Sequence, residues 1–108
     1  MKIFGFIRGQ DLQINAPLMV AGSRGYWAAD FFFSGQWDGL KKRAHFEQGQ
    51  QRIDVDLTGD SRPREDFPEL GPGVWQLCLC GLEPDGTMRI TTDISTITVH
   101  ETGPTGPC

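Results

Sequence analysis

Few side chains in this sequence have the types and the spacing that chemistry requires. Cys78 and Cys80 alternate along a predicted strand, so both thiols point to one face, where a local disulfide would strain the strand. This spacing is not the two-residue gap of zinc knuckles, and two distant histidines do not complete a metal site. We interpret both as small buried side chains in a reduced compartment. Cys108 is interpreted as an exposed thiol in a terminal tail or as a truncation point.

The histidines and the paired carboxylates are interpreted as surface residues. His45 falls on the solvent face of a predicted strand, and His100 falls at a strand end. Asp54 and Asp56 share a face, but they are more simply the polar side of an amphipathic strand, and a calcium site would need further oxygens. The sequence contains no nucleophile elbow, phosphate loop or zinc-protease motif. We therefore expect no catalytic residue, no metal and no cofactor, and we predict that the protein is not an enzyme.

Charge and composition weigh against nucleic acid as a partner. The 108 residues carry a formal net charge of −4, with 38% hydrophobic and 22% charged residues, which is typical of a globular domain. Nucleic-acid binding relies on a basic surface that displaces counterions, so we expect no such partner. The run Lys41-Lys42-Arg43 is interpreted as the solvated start of a strand, where its charge discourages edge-to-edge pairing.

The sequence gives no sign of a membrane partner. No stretch approaches the roughly 20 apolar residues that a bilayer-spanning helix needs. The first residues, MKIFGFIRGQD, reach arginine and aspartate too early for a signal peptide. We therefore expect synthesis in a cytoplasm without export through a signal peptide.

Strand signals dominate the chain, and turn signals separate them at intervals of roughly 8 to 12 residues. The clearest alternation runs over 52–57, where Ile53, Val55 and Leu57 face inward. The apolar run over 74–82 predicts a strand that is covered on both faces. The last strand, 88–100, changes its inward set, which predicts a bulge or a change of sheet. Further strands are predicted over 2–7, 11–14, 18–20, 26–33 and 42–47, with one short helical turn over 66–70.

The segment FFFSGQWDGL, residues 31–40, contains the densest aromatic cluster. Alternation along a strand sends Phe31 and Phe33 to the core and Phe32 to the opposite face. Trp37 is predicted to fold back and cap the edge of the core. Asp38-Gly39 is a preferred turn pair, since glycine adopts positive φ without strain.

Short strands with turns between them predict an all-β, antiparallel β-sandwich. We expect a single domain over residues 1–100, followed by a Gly/Pro-rich tail over 101–108. The tail contains two Gly-Pro-x steps, the period of collagen, but two steps are too few to hold a triple helix. It is interpreted as a flexible tail, a clipped stalk or an extended arm.

The sharpest of several motifs along the chain is F-x-F-S-x-x-W-D-G-L over 31–40, followed by Ala44 and Phe46. Later motifs are a proline segment over 68–70, Gly73 with Trp75 and Gly81, and R-x-T-T at 89–92. Together they resemble small immunoglobulin-like domains of tailed-phage structural proteins. The resemblance covers roughly residues 14–100. Its motif residues, mainly structural, are Phe31, Phe33, Trp37, Asp38, Gly39, Leu40, Phe46 and Trp75.

This resemblance implies an adaptor in the virion. Such domains stand at the N-terminus of baseplate upper proteins and of head or tail fibres, where they dock an appendage, usually as oligomers, without performing chemistry. The expected partners are other capsid, tail or fibre subunits, and a homo-oligomer is expected. Trp27 and Phe32 are the candidate contact residues, as exposed apolar side chains on a second face.

Two alternative functions remain. A carbohydrate-binding module for host-surface glycans would use Trp27, Trp37 and Trp75 as flat stacking platforms. A small enzyme would need a pocket with convergent polar groups.

Overall fold

A computed structural model describes residues 2–22 and 25–101, and it confirms the all-β class. Two short 3₁₀ turns, Gly35–Trp37 and Arg64–Asp66, are the helical elements within these ranges. In this part of the chain, no helix is long and apolar enough to cross a membrane. The tail from residue 102 onward, including Cys108, lies outside the described residues. The strands of the described ranges are β1 (Lys2–Arg8), β2 (Asp11–Asn15), β3 (Met19–Val20), β4 (Ala28–Phe33), β5 (Lys41–Gln48), β6 (Gln51–Asp56), β7 (Ser61–Arg62), β8 (Gly73–Leu82), β9 (Met88–Thr91) and β10 (Ser95–His100).

These strands form two sheets that pack face to face. One sheet has the order β2-β1-β4-β7, and the other has the order β3-β10-β8-β5-β6, with β9 also paired to β8. The alternating pattern predicts which residues face inward, because successive side chains of a strand point to opposite faces. The core between the sheets includes Ile3, Ile7, Leu12, Met19, Trp27, Ala29, Phe31, Trp37, Ala44, Phe46, Val55, Leu70, Trp75, Leu77, Leu79, Ile97 and Val99.

The expectation of a purely antiparallel sandwich is wrong. β1 runs parallel to β4, from the pair Lys2↔Ala28 to the pair Ile7↔Phe33, and β3 runs parallel to β10. The chain reverses from β1 into β2, crosses to the other sheet as β3, and returns as β4 beside β1. Alternation in a sequence fixes the face of a side chain but not the direction of the neighbouring strand.

The last predicted strand is irregular, but it is interrupted within one sheet and does not change sheet. β9 and β10 both pair with β8, at its two ends, and residues 92–94 separate them. Thr92 is buried there, and its Oγ1 accepts a hydrogen bond from Leu79 N at 3.0 Å. Asp93 then reaches the other sheet, where its carboxylate accepts Leu12 N at 2.9 Å. The interruption therefore ties an edge of one sheet to the other.

Three local predictions are corrected. The short helical turn lies at Arg64–Asp66, after Pro63, and not over 66–70. The strand over 74–82 is covered on both faces only from Cys80 to Leu82, because Val74 and Gln76 are exposed.

The third correction concerns the basic run at the start of β5. β5 lies between β8 and β6, so its charges do not protect an edge. Lys42 is not solvated either, because it lies on the inner side of β5. Its ammonium pairs with Asp60 at 3.2 Å and stands 5.1 Å from the centre of the Phe33 ring. The edge strand is β6, whose exposed Arg52, Asp54 and Asp56 carry the charge that discourages pairing.

Replacing Thr92 with valine should destabilise the fold, because the change keeps the shape but leaves the amide of Leu79 without its acceptor. An unsatisfied buried donor costs about 1–3 kcal/mol. Urea unfolding measures the free energy. Thr98→Val, on the exposed face of β10, is the control and should change stability by no more than about 0.5 kcal/mol. Equal stabilities of the two variants would contradict the role given to Thr92.

Candidate functional site

Three phenylalanine rings stack on the outer face of the four-stranded sheet. Phe32 points outward from β4, and the parallel register of β1 and β4 places Phe6 beside it. The ring centres of Phe6 and Phe32 are 5.4 Å apart, and those of Phe4 and Phe32 are 6.4 Å apart. The planes differ by only 15° and 17°. We call these three residues the phenylalanine stack.

The phenylalanine stack is open to solvent. Phe32 is 53% exposed and Phe6 is 49% exposed, while Phe4 is half-buried. Single exposed apolar side chains are common on protein surfaces, but a cluster of large ones is typical of an interaction site. The phenylalanine stack therefore provides an exposed apolar surface of the kind that the contact predicted for Phe32 requires.

Trp27, the other predicted contact residue, is not available. Its side chain is only 7% exposed and belongs to the core at the end of the sandwich, so the prediction that it is an exposed contact is wrong. It precedes β4, where Ala28 is also buried, because the opposite face of the strand is covered at this end. Trp37 and Trp75 are fully buried. No tryptophan can therefore serve as a sugar platform, which overturns the carbohydrate hypothesis in its tryptophan form.

A groove opens at the hairpin end of the stack, with a volume of about 380 Å³. We call it the hairpin groove; it is lined by Phe6, Ile7, Arg8, Asp11, Gln13, Phe32, Phe33 and Ser34. Arg8 and Asp11 lie opposite each other in the β1–β2 register, and Gln13 lies opposite Phe6. The side chains of Arg8, Asp11 and Gln13 have no hydrogen-bond or ion-pair partner among the residues that the structure describes. The groove therefore combines aromatic walls with free donors and acceptors.

The turn between β4 and β5 holds the groove in shape. Gly9, in the hairpin turn, donates its N–H to Ser34 Oγ at 2.9 Å, and its carbonyl accepts Trp37 Nε1–H at 2.9 Å. Ser34 N also donates to the carbonyl of Ile7 at 2.9 Å. The N–H and the carbonyl of Gly9 are thus both held by the segment Ser34–Trp37, which fixes the backbone beside the residues that carry the free polar groups.

Most residues of the predicted motif lie in the core or in a turn and therefore have structural roles. Gly39 has φ 77°, which confirms the glycine requirement of the Asp38-Gly39 turn. Trp37 is more deeply placed than a cap on the core edge, since it packs 5.0 Å from the Phe33 ring. The buried or partly buried members of the motif are Phe31, Phe33, Trp37, Leu40, Phe46 and Trp75.

The outer face of the other sheet carries a polar network that the sequence did not reveal. His45 was predicted to face solvent, but its side chain is only 11% exposed. Its Nε2 lies 3.0 Å from Cys80 Sγ, and its Nδ1 contacts the Asp54 carboxylate. Arg52 Nε donates to the same carboxylate at 2.9 Å. Residues 45, 54 and 80 are distant in sequence and meet only because β6, β5 and β8 are neighbours.

This order of thiol, imidazole and carboxylate resembles a nucleophile with its base and orienting group. Cys80 is nevertheless only 2% exposed, so a substrate cannot reach its sulfur. Burial also raises the pKa of the Cys80 thiol, and burial raises the pKa of Cys78 as well, so both thiolates are disfavoured. The arrangement is therefore a chain of polar contacts that joins the Cys80 thiol, the His45 ring and the Asp54 carboxylate, and Arg52 also contacts His45 Nδ1 at 2.9 Å.

Charge pairs complete this face. Arg43 Nε donates to Asp56 at 2.7 Å, and Lys41 lies 3.7 Å from the same carboxylate. The hydrogen bond from Arg52, and then that from His45, lowers the pKa of Asp54. The hydrogen bond from Arg43 likewise lowers the pKa of Asp56. Across the described ranges no group of three His, Cys, Asp or Glu side chains is arranged to hold a metal ion.

Comparison with known proteins gave no match, either to a family model or to a curated protein.

Asp54→Asn should reduce stability at neutral pH, because the uncharged amide weakens its bonds to Arg52 and His45. The pair is partly solvent-screened, so the loss should be about 0.5 kcal/mol. The pKa of Asp54 is lower in the folded protein than in the unfolded chain. Its contribution to stability is therefore complete above the unfolded pKa and is lost as the pH falls through the folded pKa. The difference from wild type should therefore close below about pH 4. Asp38→Asn, in an exposed turn, is the control; a pH-independent loss would contradict the ion-pair account.

Cys80 should resist alkylation in the native protein, because it is buried and its raised pKa reduces the thiolate. In a Cys108→Ser background, iodoacetamide labelling followed by peptide mass spectrometry should show Cys80 protected by about 100-fold or more relative to the unfolded chain. Cys78, which is half-buried, is the internal comparison and should label sooner. Labelling of Cys80 at the unfolded rate would show an accessible nucleophile.

Proposed function

We propose that this protein is a docking domain of a phage virion that acts by protein–protein contact. The observation that carries the proposal is the exposed phenylalanine stack on the outer face of the four-stranded sheet. Aromatic residues are enriched at the centres of protein interfaces, and burying one such side chain contributes roughly 1.5–3 kcal/mol. Three adjacent rings therefore provide a compact anchor.

The immunoglobulin-like assignment is part of the same proposal. The order β10-β8-β5-β6 corresponds to the arrangement of an immunoglobulin sheet that has an added edge strand, in which the consecutive strands β5 and β6 pair at one end. β4 lies in the opposite sheet and directly precedes β5, as in that fold. The departure is the hairpin β1–β2, which places β1 parallel to β4. The order of strands supports the assignment, and the hairpin is a feature of this chain.

The two outer faces differ in what they offer to a partner. On the six-stranded sheet, Arg43, His45 and Arg52 are already engaged by carboxylates of β6. On the four-stranded sheet, the exposed rings of the stack are flanked by the ion pair Lys2–Asp30, at 3.0 Å. An apolar centre with a polar rim is the usual anatomy of an interface. The contact is therefore assigned to the four-stranded sheet.

The virion setting rests on the motif resemblance over residues 31–46. Within that setting, the partners are capsid, tail or fibre subunits, and further copies of this chain join through the same face. The domain is made in the bacterial cytoplasm and incorporated during assembly. It performs no reaction, which is consistent with the buried thiol and the engaged imidazole.

Phe32→Ser should weaken docking, because it removes the central ring of the stack. Light scattering should show wild type as an oligomer, and co-sedimentation should show binding to assembled capsids or tails of the phage that encodes it. The substitution should reduce association by at least tenfold, since loss of an interface anchor costs about 2 kcal/mol. Val74→Ser, at a 56% exposed position on the other sheet, is the matched control.

A monomeric wild-type protein that binds neither capsids nor tails would contradict the proposal. Equal losses in the Phe32 and Val74 variants would contradict the assignment of the contact to the phenylalanine stack.

A further inference from the structure

We infer that the hairpin groove binds a neutral sugar ring, which is a function beyond the protein contact proposed above. The groove combines two half-exposed phenylalanine rings with three polar side chains that have no partner in the described residues. Its volume of about 380 Å³ falls within the range of small-molecule sites, roughly 300–1,000 Å³.

The polar groups of the groove match the hydroxyl groups of a saccharide. A sugar hydroxyl both donates and accepts hydrogen bonds, so its site needs groups of both kinds. The Asp11 carboxylate accepts, the Arg8 guanidinium donates, and the Gln13 amide does both. All three are exposed and belong to the two strands of one hairpin, with Arg8 directly opposite Asp11.

The geometry of the rings excludes a flat aromatic ligand between them. Phe6 and Phe32 are nearly parallel, and their centres are 5.4 Å apart. An inserted base or aromatic side chain would need about 7 Å, two contact distances of roughly 3.5 Å. A ligand must therefore lie against the exposed parts of the rings, and the C–H face of a pyranose provides an apolar surface for that contact while its hydroxyls reach the polar side.

The charge of the groove favours a neutral ligand. Arg8 and Asp11 contribute one charge of each sign, so a carboxylated or aminated sugar gains from one and is repelled by the other. The chain as a whole carries a net charge of −4, which adds a further penalty for anions.

The clamp on Gly9 prepares the site before binding. Ser34 and Trp37 hold the N–H and the carbonyl of Gly9, so the residues beside it are positioned without the ligand. Such preorganisation reduces the entropy lost on binding. A single small ring should still bind weakly, with a dissociation constant on the order of millimolar.

The test uses saturation-transfer NMR and ¹H–¹⁵N chemical-shift titration of the full chain. The probes are the methyl glycosides of glucose, galactose, mannose, rhamnose and N-acetylglucosamine, with glucuronate as the charged comparison. At least one neutral glycoside should bind and shift the amides of residues 6–13 and 32–34. Glucuronate should bind at least about tenfold more weakly than that glycoside.

Gln13→Ala and Arg8→Ala should each weaken glycoside binding by about tenfold, because each removes a side chain that hydrogen-bonds to the sugar hydroxyls. Both positions are exposed and unpartnered, so folding should be unaffected. Gln51→Ala, on the exposed edge strand β6, is the matched control and should bind like wild type. If no glycoside binds at 20 mM (about tenfold above the expected constant), or if the groove variants bind as well as the control, the inference is wrong.

Phe4→Ser separates this site from the docking surface. Phe4 belongs to the phenylalanine stack but does not line the groove. This variant should lose docking and keep glycoside binding, whereas Gln13→Ala should do the reverse. If Gln13→Ala instead impairs docking and no sugar binds, the groove is part of the protein interface and the sugar site is rejected.

Discussion

The burial of Trp37 between the two sheets is the interaction on which the rest of the structure depends. This indole is fully buried, and its N–H donates to the carbonyl of Gly9 at 2.9 Å. A tryptophan removes a large apolar surface from water but must also satisfy its one donor. Here the donor is satisfied by the β1–β2 hairpin turn of the four-stranded sheet. The same residue therefore contributes to core packing and holds the hairpin turn beside the groove. A substitution of Trp37 should alter both.

The parts of the fold that follow from local pattern could be predicted. The alternation in β4 separated Phe31 and Phe33 from Phe32, and the alternation in β6 separated Ile53 and Val55 from their charged neighbours. The turn at Asp38-Gly39 was also readable, because glycine is strongly preferred at positive φ. Each of these features depends on neighbours within a few residues.

The parts that depend on strand pairing could not be predicted from the sequence. Phe4 and Phe6 join Phe32 only because β1 runs parallel to β4, and no local signal specifies that direction. The contact between His45 and Cys80 depends in the same way on the register of β5 with β8. The sequence does contain one signal that another element lies close to β1, although it does not specify strand direction. Gly5 alternates with two phenylalanines in β1, and a Cβ at that position would collide with the Phe31 ring. A lone glycine in a strand indicates close approach by another element.

The unequal use of polar groups on the two outer faces connects this fold to its proposed roles. On the six-stranded sheet, nearly every charged group of β5 and β6 is paired, and the pairing protects the edge strand and closes the face. On the four-stranded sheet, Arg8 and Asp11 stand opposite each other without pairing, beside rings that are half in water. Leaving such groups unpaired gives up the modest stabilisation that a surface pair supplies, but it costs little because water solvates them. The proposed contact and the proposed sugar site therefore both lie on the sheet whose polar groups contribute least to stability, beside a hairpin turn that Ser34 and Trp37 already hold in place.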